Sequence, residues 1–123
     1  MLVHPVVIPG SGTRSWTVLG DDDVPVVPVD RFLAYLTDIG RSPNTVKAYA
    51  HDLKDYWSFL GFRGLDWREA RLEDVGEFVR ETVTYLQAVY PDGDTLHEEE
   101  EQRLLSQLFH AHLVQAHVAA RGL

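Results

Sequence analysis

Apolar residues recur every three or four positions through most of the chain, and four stretches keep that spacing long enough to predict helices. In the first, Phe32, Leu33, Leu36 and Ile39 share a face between a start near Pro28 to Asp30 and a stop at Gly40. Glycine suits the left-handed residue that closes a helix. The second stretch has the clearest start signal. Ser42 is an N-cap and Pro43 takes the first helical position, where its missing N–H costs nothing. Val46, Tyr49, Ala50, Leu53, Trp57 and Leu60 form its apolar face, with Gly61 as its stop. Thr45, Lys47, His51, Asp52, Lys54 and Asp55 populate its other side.

A third helix is expected from about Leu72 to Tyr90, with Leu72, Val75, Phe78, Val79, Val83 and Leu86 inward. It follows a turn in which Asp66 and Glu69 read as a capping box. After the turn Pro91-Asp92-Gly93, Thr95 and Glu98 open a fourth helix from about Leu96 to Ala120. Leu105, Leu108, Phe109, His112, Ala116 and Ala119 can share its face. The expected spans are 30–40, 43–60, 72–90 and 96–120, and their short connections make an all-α, compact four-helix bundle. Phe32, Leu36, Tyr49, Leu53, Trp57, Phe78 and Leu108 are expected in one core.

Before Pro28 the pattern changes. Ser15 to Leu19 is β-prone, and Val24 to Val27 is β-branched but broken by Pro25. A short hairpin across the acidic turn Gly20 to Asp23 is predicted, with proline confining its second strand to an edge. Gly10-Ser11-Gly12 reads as a flexible joint. The chain thus divides into an N-terminal strand or hairpin arm, 1–27, and a helical domain, 28–123.

With 123 residues there is room for one domain, and a hydrophobic content of 45% can fill its core. Cysteine is absent, which excludes disulfides and Cys-based zinc sites and fits a reducing interior. No apolar run approaches the roughly 20 residues of a membrane span. Met1 to Gly10 is apolar but has no basic lead and carries Pro5 and Pro9, a poor signal peptide. A cytoplasmic location, no membrane partner and no small-molecule substrate are therefore expected. The net charge of −8 weighs against nucleic acid as a partner. It is unevenly spread, however. Arg41 to Arg71 is mildly basic, and the acids gather at Asp21-Asp22-Asp23 and from Asp92 to Glu101.

Several residues of the helical part carry a more specific pattern. Ser42-Pro43-Asn44-Thr45 is followed by Ala48-Tyr49, Asp52-Leu53 and Phe59-Leu60, then by Leu72-Glu73-Asp74-Val75 and Phe78-Val79. In this order and spacing the segment Val29 to Val79 resembles the core-binding domain of tyrosine recombinases, the phage integrases. Ser15 to Leu19 and Val24-Pro25-Val26 resemble the lead-in strands of one bacterial integrase branch. The resemblance covers about half of the chain. It implies a SAM-like helical bundle that clamps duplex DNA for integration and recombination, with other recombinase protomers as further partners. It also implies a separate catalytic domain bearing the nucleophilic tyrosine.

The residues themselves agree with a DNA surface at the start of the second helix. A helix N-terminus offers free N–H groups and a partial positive charge to a phosphate. Arg41, Ser42, Asn44, Thr45 and Lys47 cluster there, and His51 follows Lys47 by one turn. These six are the candidate DNA-binding residues. Ser42 and Pro43 would start a helix whatever its function, and charged helix faces are usually only solvated.

After Val79 the resemblance fades. Where the family has a basic fourth helix, this chain has Asp92, Asp94 and Glu98 to Glu101, which phosphates would repel. His117 to Arg121 has the wrong spacing for the family's His-x-x-Arg. The chain is therefore expected not to be an enzyme and to lack the catalytic domain. It reads as a domain fragment, a truncated or frameshifted remnant, or a small protein reusing the fold. The alternative function is a helical interaction module that no longer binds DNA.

No cofactor or metal is expected. His110, His112 and His117 are two and five positions apart, which scatters them around a helix. Glu98 to Glu101 lacks the spaced oxygens and glycine of a calcium loop. Gly10-Ser11-Gly12 is too short for a phosphate loop.

Overall fold

The computed structural model describes residues 1–89, Pro91, and residues 98–104 and 106–107, with Leu72 described by its backbone alone. The chain opens as a hairpin of β1 (Leu2–Val7) and β2 (Arg14–Leu19), antiparallel, with Leu2 opposite Leu19 and Val7 opposite Arg14. Its turn is closed by Ile8 N–H donating to Thr13 O at 2.9 Å and Gly12 N–H donating to Ile8 O at 3.1 Å. The hairpin thus exists, but its strands differ from those expected. The apolar N-terminal stretch pairs with β2, and Gly10 to Gly12 form its turn. Val24 to Val27 contribute only a single bridge, Leu19 to Pro25, formed by Val26 N–H on Val18 O and Gly20 N–H on Val24 O. Proline has no N–H to extend a ladder, and Val27 already begins a helix.

Three helices follow: α1 (Val27–Asp38), α2 (Pro43–Phe62) and α3 (Leu72–Val89). Residues 98–104 are also helical. The helix starts agree with the sequence reading to within a few residues. Thr95, Leu96, Leu105 and residues 108–120 of the expected fourth helix lie outside the described residues. Gly40, at φ 86°, closes α1 as a Schellman motif, with Gly40 N–H on Thr37 O and Arg41 N–H on Leu36 O, both 3.0 Å. The end of α2 repeats that motif one glycine later than expected. Gly61 stays helical, and Gly64, at φ 69°, is the left-handed residue, with Leu65 N–H on Leu60 O at 2.9 Å. Asp74 reaches back to Arg71 N–H at 2.7 Å and so caps the start of α3. In the connecting turn the Asp66 side chain accepts from Arg68 N–H, while Glu69 N–H goes to the Asp66 backbone carbonyl, so the expected side-chain capping box does not form.

The core gathers Val18 of β2, Val29, Phe32, Leu33 and Leu36 of α1, and Val46, Ala50, Leu53, Tyr56 and Leu60 of α2. Val75, Phe78 and Val79 of α3 join them, with Leu104. Of the expected core residues, Phe32, Leu36, Leu53 and Phe78 are buried, while Tyr49 and Trp57 pack half-buried against the cluster. Tyr56, which the periodicity did not place on the apolar face, is fully buried. It touches Phe78 with ring centroids 5.4 Å apart, and Phe59 meets Phe78 at the same distance. Asp52, expected on the solvent side, is buried as well.

The hairpin docks onto α1 through its buried polar residues. Ser15 Oγ bonds Thr37 Oγ1 at 2.8 Å, and Thr17 Oγ1 donates to Asp30 at 2.7 Å. Buried hydroxyls that find partners in this way avoid a penalty of roughly 1–3 kcal/mol each. Val18, fully buried, brings β2 into the same core as the helices.

The aromatic contact between α2 and α3 gives a stability test. Phe78→Ala should lower unfolding free energy in urea by about 3–5 kcal/mol, the usual cost of a buried Phe. Phe62→Ser, at a side chain 90% exposed, should change it by less than about 0.5 kcal/mol. Equal effects at the two sites would contradict the assigned core.

Candidate nucleic-acid interface

The start of α2 is built by the two motifs that flank it. The Schellman closure of α1 fixes Arg41, and Ser42 then caps the next helix. Ser42 Oγ accepts Thr45 N–H at 3.2 Å and donates its own proton to Thr45 Oγ1 at 3.0 Å. Pro43 sits in the first turn, where it removes no hydrogen bond. The chain therefore reverses between α1 and α2 in a few residues and presents the N-terminal end of α2 to solvent.

All six candidate residues belong to this region. Arg41, Ser42, Asn44, Lys47 and His51 are exposed, and Thr45 is half-buried by its bond to the cap. Asn44, Lys47 and His51 are spaced three and four apart, so they form one stripe along the solvent side of α2. The stripe runs on to Lys54 and Asp55, which pair with each other at 3.7 Å.

Four of the described cations are paired with acids, Lys54 among them, and Arg14, Arg31, Arg71 and Arg80 form no ion pair with a described residue. Arg63 is held by Glu77 and Glu81 at 2.9 and 2.5 Å, Arg68 by Asp66 at 3.8 Å, and Arg103 by Asp52 and Glu100. Arg41 and Lys47 form no ion pair with any described residue. Lys47 instead places its Nζ 4.7 Å from the ring centroid of Trp16, a cation–π contact that holds the ammonium without neutralising it. Neither helical spacing nor charge counting could reveal that contact, because Trp16 lies 31 residues away in β2.

Asp52, in the middle of α2, is tied to Arg103. Arg103 donates to Asp52 at 2.5 Å and also engages Glu100. Burial pushes the Asp52 carboxyl above its ordinary value, and the Arg103 hydrogen bond pulls it part of the way back. Asp52 lies about 15 Å along the helix axis from Ser42 at 1.5 Å per residue. The helical residues 98–104 are thus anchored to the middle of α2. Glu98, Glu99 and Glu101 are exposed there. Asp92 and Asp94 lie outside the described residues, as do His110, His112 and His117. Among the described residues no group of three or more His, Asp or Glu side chains could hold a metal ion. Within the same limit no helix is long and apolar enough to cross a membrane.

Residues 29–88 match the family described as phage integrase, N-terminal SAM-like domain. Transposase A from transposon Tn554 of Staphylococcus aureus is 39% identical to the chain over 54 residues, in strain N315 and in strain Mu50 alike. That stretch is 44% of this chain and 15% of the transposase, so the chain spans a small part of the curated relatives it matches. No solved structure matches the chain significantly.

The Asp52–Arg103 ion pair can be tested by titration. NMR of the Asp52 carboxyl should show a midpoint above that of exposed aspartates, and Arg103→Ala should raise it further. Asp52 binds its proton more tightly folded than unfolded. Its contribution to stability should therefore fall as pH rises from the ordinary aspartate value through its folded one. A midpoint unchanged by Arg103→Ala would disprove the contact. Separately, Ser42→Ala should cost about 1 kcal/mol of stability in a urea melt and Ser42→Gly only a few tenths.

Proposed function

We propose that this chain, whose residues 29–88 form a domain of the phage integrase N-terminal SAM-like family, binds duplex DNA as the core-binding part of a tyrosine-type site-specific recombinase. The observation that carries this reading is the pair of exposed, unneutralised cations, Arg41 and Lys47, at the N-terminus of α2. They lie inside the family segment and together at one helix start; of the other cations there, Lys54, Arg63 and Arg68 are bound to carboxylates, while Arg31, Arg71 and Arg80 form no ion pair with a described residue. A phosphate oxygen approaching Arg41 and Ser42 meets the positive end of the helix dipole and the Asn44 N–H, since the Arg41 and Thr45 N–H groups already serve Leu36 O and the Ser42 cap and Pro43 has none. Lys47 and His51 extend the contact along the solvent stripe, and Asn44 adds a neutral donor. Contacts of this kind position a protein on the backbone and carry little sequence information.

The bond-breaking chemistry, in this reading, belongs to another domain. The tyrosines that pack in or against the core are poorly suited to it. Burial raises the phenol pKa of both Tyr49 and Tyr56; at Tyr49 the Arg41 charge opposes the rise and Asp52 adds to it, and at Tyr56 Asp74 adds to it. A nucleophile needs the opposite shift. The relative's printed name, a transposase of a transposon, supports a setting of DNA rearrangement, with which a cytoplasmic location beside the DNA is consistent. A SAM-like four-helix bundle, completed by the expected fourth helix, is the architecture that goes with this function.

The exposed Glu98, Glu99 and Glu101 favour a second reading, a helical module that engages a basic protein partner or another protomer. Titration of mixed-sequence duplex DNA at low salt separates the two. The full chain should bind weakly and with strong salt dependence. Arg41→Ala with Lys47→Ala should reduce the logarithmic salt slope by about two units, roughly 0.9 for each phosphate left without its cation. Ser42 is kept, so that the cap and the fold survive. Full affinity in the folded double mutant would move the surface elsewhere, and absence of binding by the parent would favour the interaction module.

A further inference from the structure

The orientation of the hairpin follows from two hydrogen bonds. Ser15 bonds Thr37 near the end of α1, and Thr17 bonds Asp30 in its first turn. β2 therefore runs antiparallel to α1, and Arg14, its first residue, lies beyond Thr37, towards the reversal that leads into α2. The opposite end of the hairpin carries the acids. The Met1 ammonium pairs with Asp21 at 2.9 Å, and the Met1 sulfur accepts from Ser58 Oγ, far along α2 from its start. The closed end of the hairpin and the N-terminus of α2 thus point the same way.

Strand alternation sets Arg14 on the same face as Trp16, whose ring meets Lys47. Arg14 is exposed and forms no ion pair with any described residue. Arg14 and Lys47 flank Trp16, and Arg41 stands at the adjoining turn. The carboxylate of this end, Asp38 in the last turn of α1, is outnumbered by these three cations. A cationic end in a chain of net charge −8 is the reverse of what even mixing would produce.

We propose that the closed end of the hairpin is a second DNA-contacting element, with Arg14 on the phosphate backbone and Trp16 as the positioning residue for Lys47. This rests on the DNA-binding reading of α2 and extends it to a two-element surface. The partner is the sugar-phosphate backbone of duplex DNA, contacted by charge and not by base edges. The hairpin, in this role, widens the footprint beyond what one helix end can cover.

The test uses the full chain and a mixed-sequence duplex of about 30 base pairs, long enough to span both elements. Arg14→Ala should weaken binding about five- to tenfold at ~0.1 M salt and lower the logarithmic salt slope by about one unit. Arg14→Glu should weaken it more. Neither substitution removes a structural contact, so thermal melts should stay unchanged and any weakening is read at the surface. Trp16→Phe should keep most of the affinity by preserving a ring under Lys47. If Arg14→Ala and Arg14→Glu bind as the parent does while Arg41→Ala with Lys47→Ala binds poorly, the hairpin proposal falls and the α2 reading stands. If the parent fails to bind at low salt, both fall.

Discussion

The structure depends on α2 being wrapped on most of its circumference. β1, β2, α1 and α3 all pack on it, and Arg103 ties residues 98–104 to its middle through Asp52. A twenty-residue helix used in this way has few places left to meet a ligand. Its C-terminal half is engaged by α3 through Tyr56, Phe59 and Phe78, and by the Arg63 pairs to Glu77 and Glu81. What remains open is the N-terminal end and one polar stripe. The candidate interface is what the packing leaves over, positioned by two capping motifs that any sequence needs to turn one helix into the next.

Charge placement follows the same division. A net charge of −8 would oppose DNA if it were uniform. Instead, Lys54, Arg63, Arg68 and Arg103 are held by acids, whereas Arg14, Arg41 and Lys47 gather unpaired at the hairpin and α2 end; Arg31, Arg71 and Arg80 elsewhere also form no ion pair with a described residue. At physiological ionic strength the Debye length is about 8 Å. Asp52 and its partners, about 15 Å from Ser42 along the axis, therefore act on Arg41 only through a screened field. Lys47 is closer to them, and its cation–π contact with Trp16 leaves its charge available. For the proposed DNA-binding role, this compromise predicts weak, salt-sensitive affinity.

Much of the helical architecture is legible in the chain. Ser42-Pro43 and Gly40 are strong local signals because capping chemistry depends on one or two residues, and each stands where its chemistry predicts. Gly61 misleads because a glycine tolerated within a helix and a glycine ending one look alike; the left-handed residue is Gly64. Tyr56 and Asp52 escape the pattern because α2 is covered on several sides, so its buried residues exceed a single amphipathic face. The hairpin is legible but its partner strand is not, since strand pairing is a long-range choice that Pro25 alone does not decide. The six candidate DNA residues can be placed from cap and spacing. The contribution of Trp16 cannot, because its contact with Lys47 exists only once β2 has docked.

Amide chemical-shift mapping by NMR, with duplex DNA added to the full chain at low salt, tests the central claim most directly. Perturbations gathered on residues 41–51 and on the closed end of the hairpin, and reversed by raising the salt, are expected from a cationic end that meets phosphate. Perturbations centred on residues 98–104, or none at any DNA concentration, would contradict it.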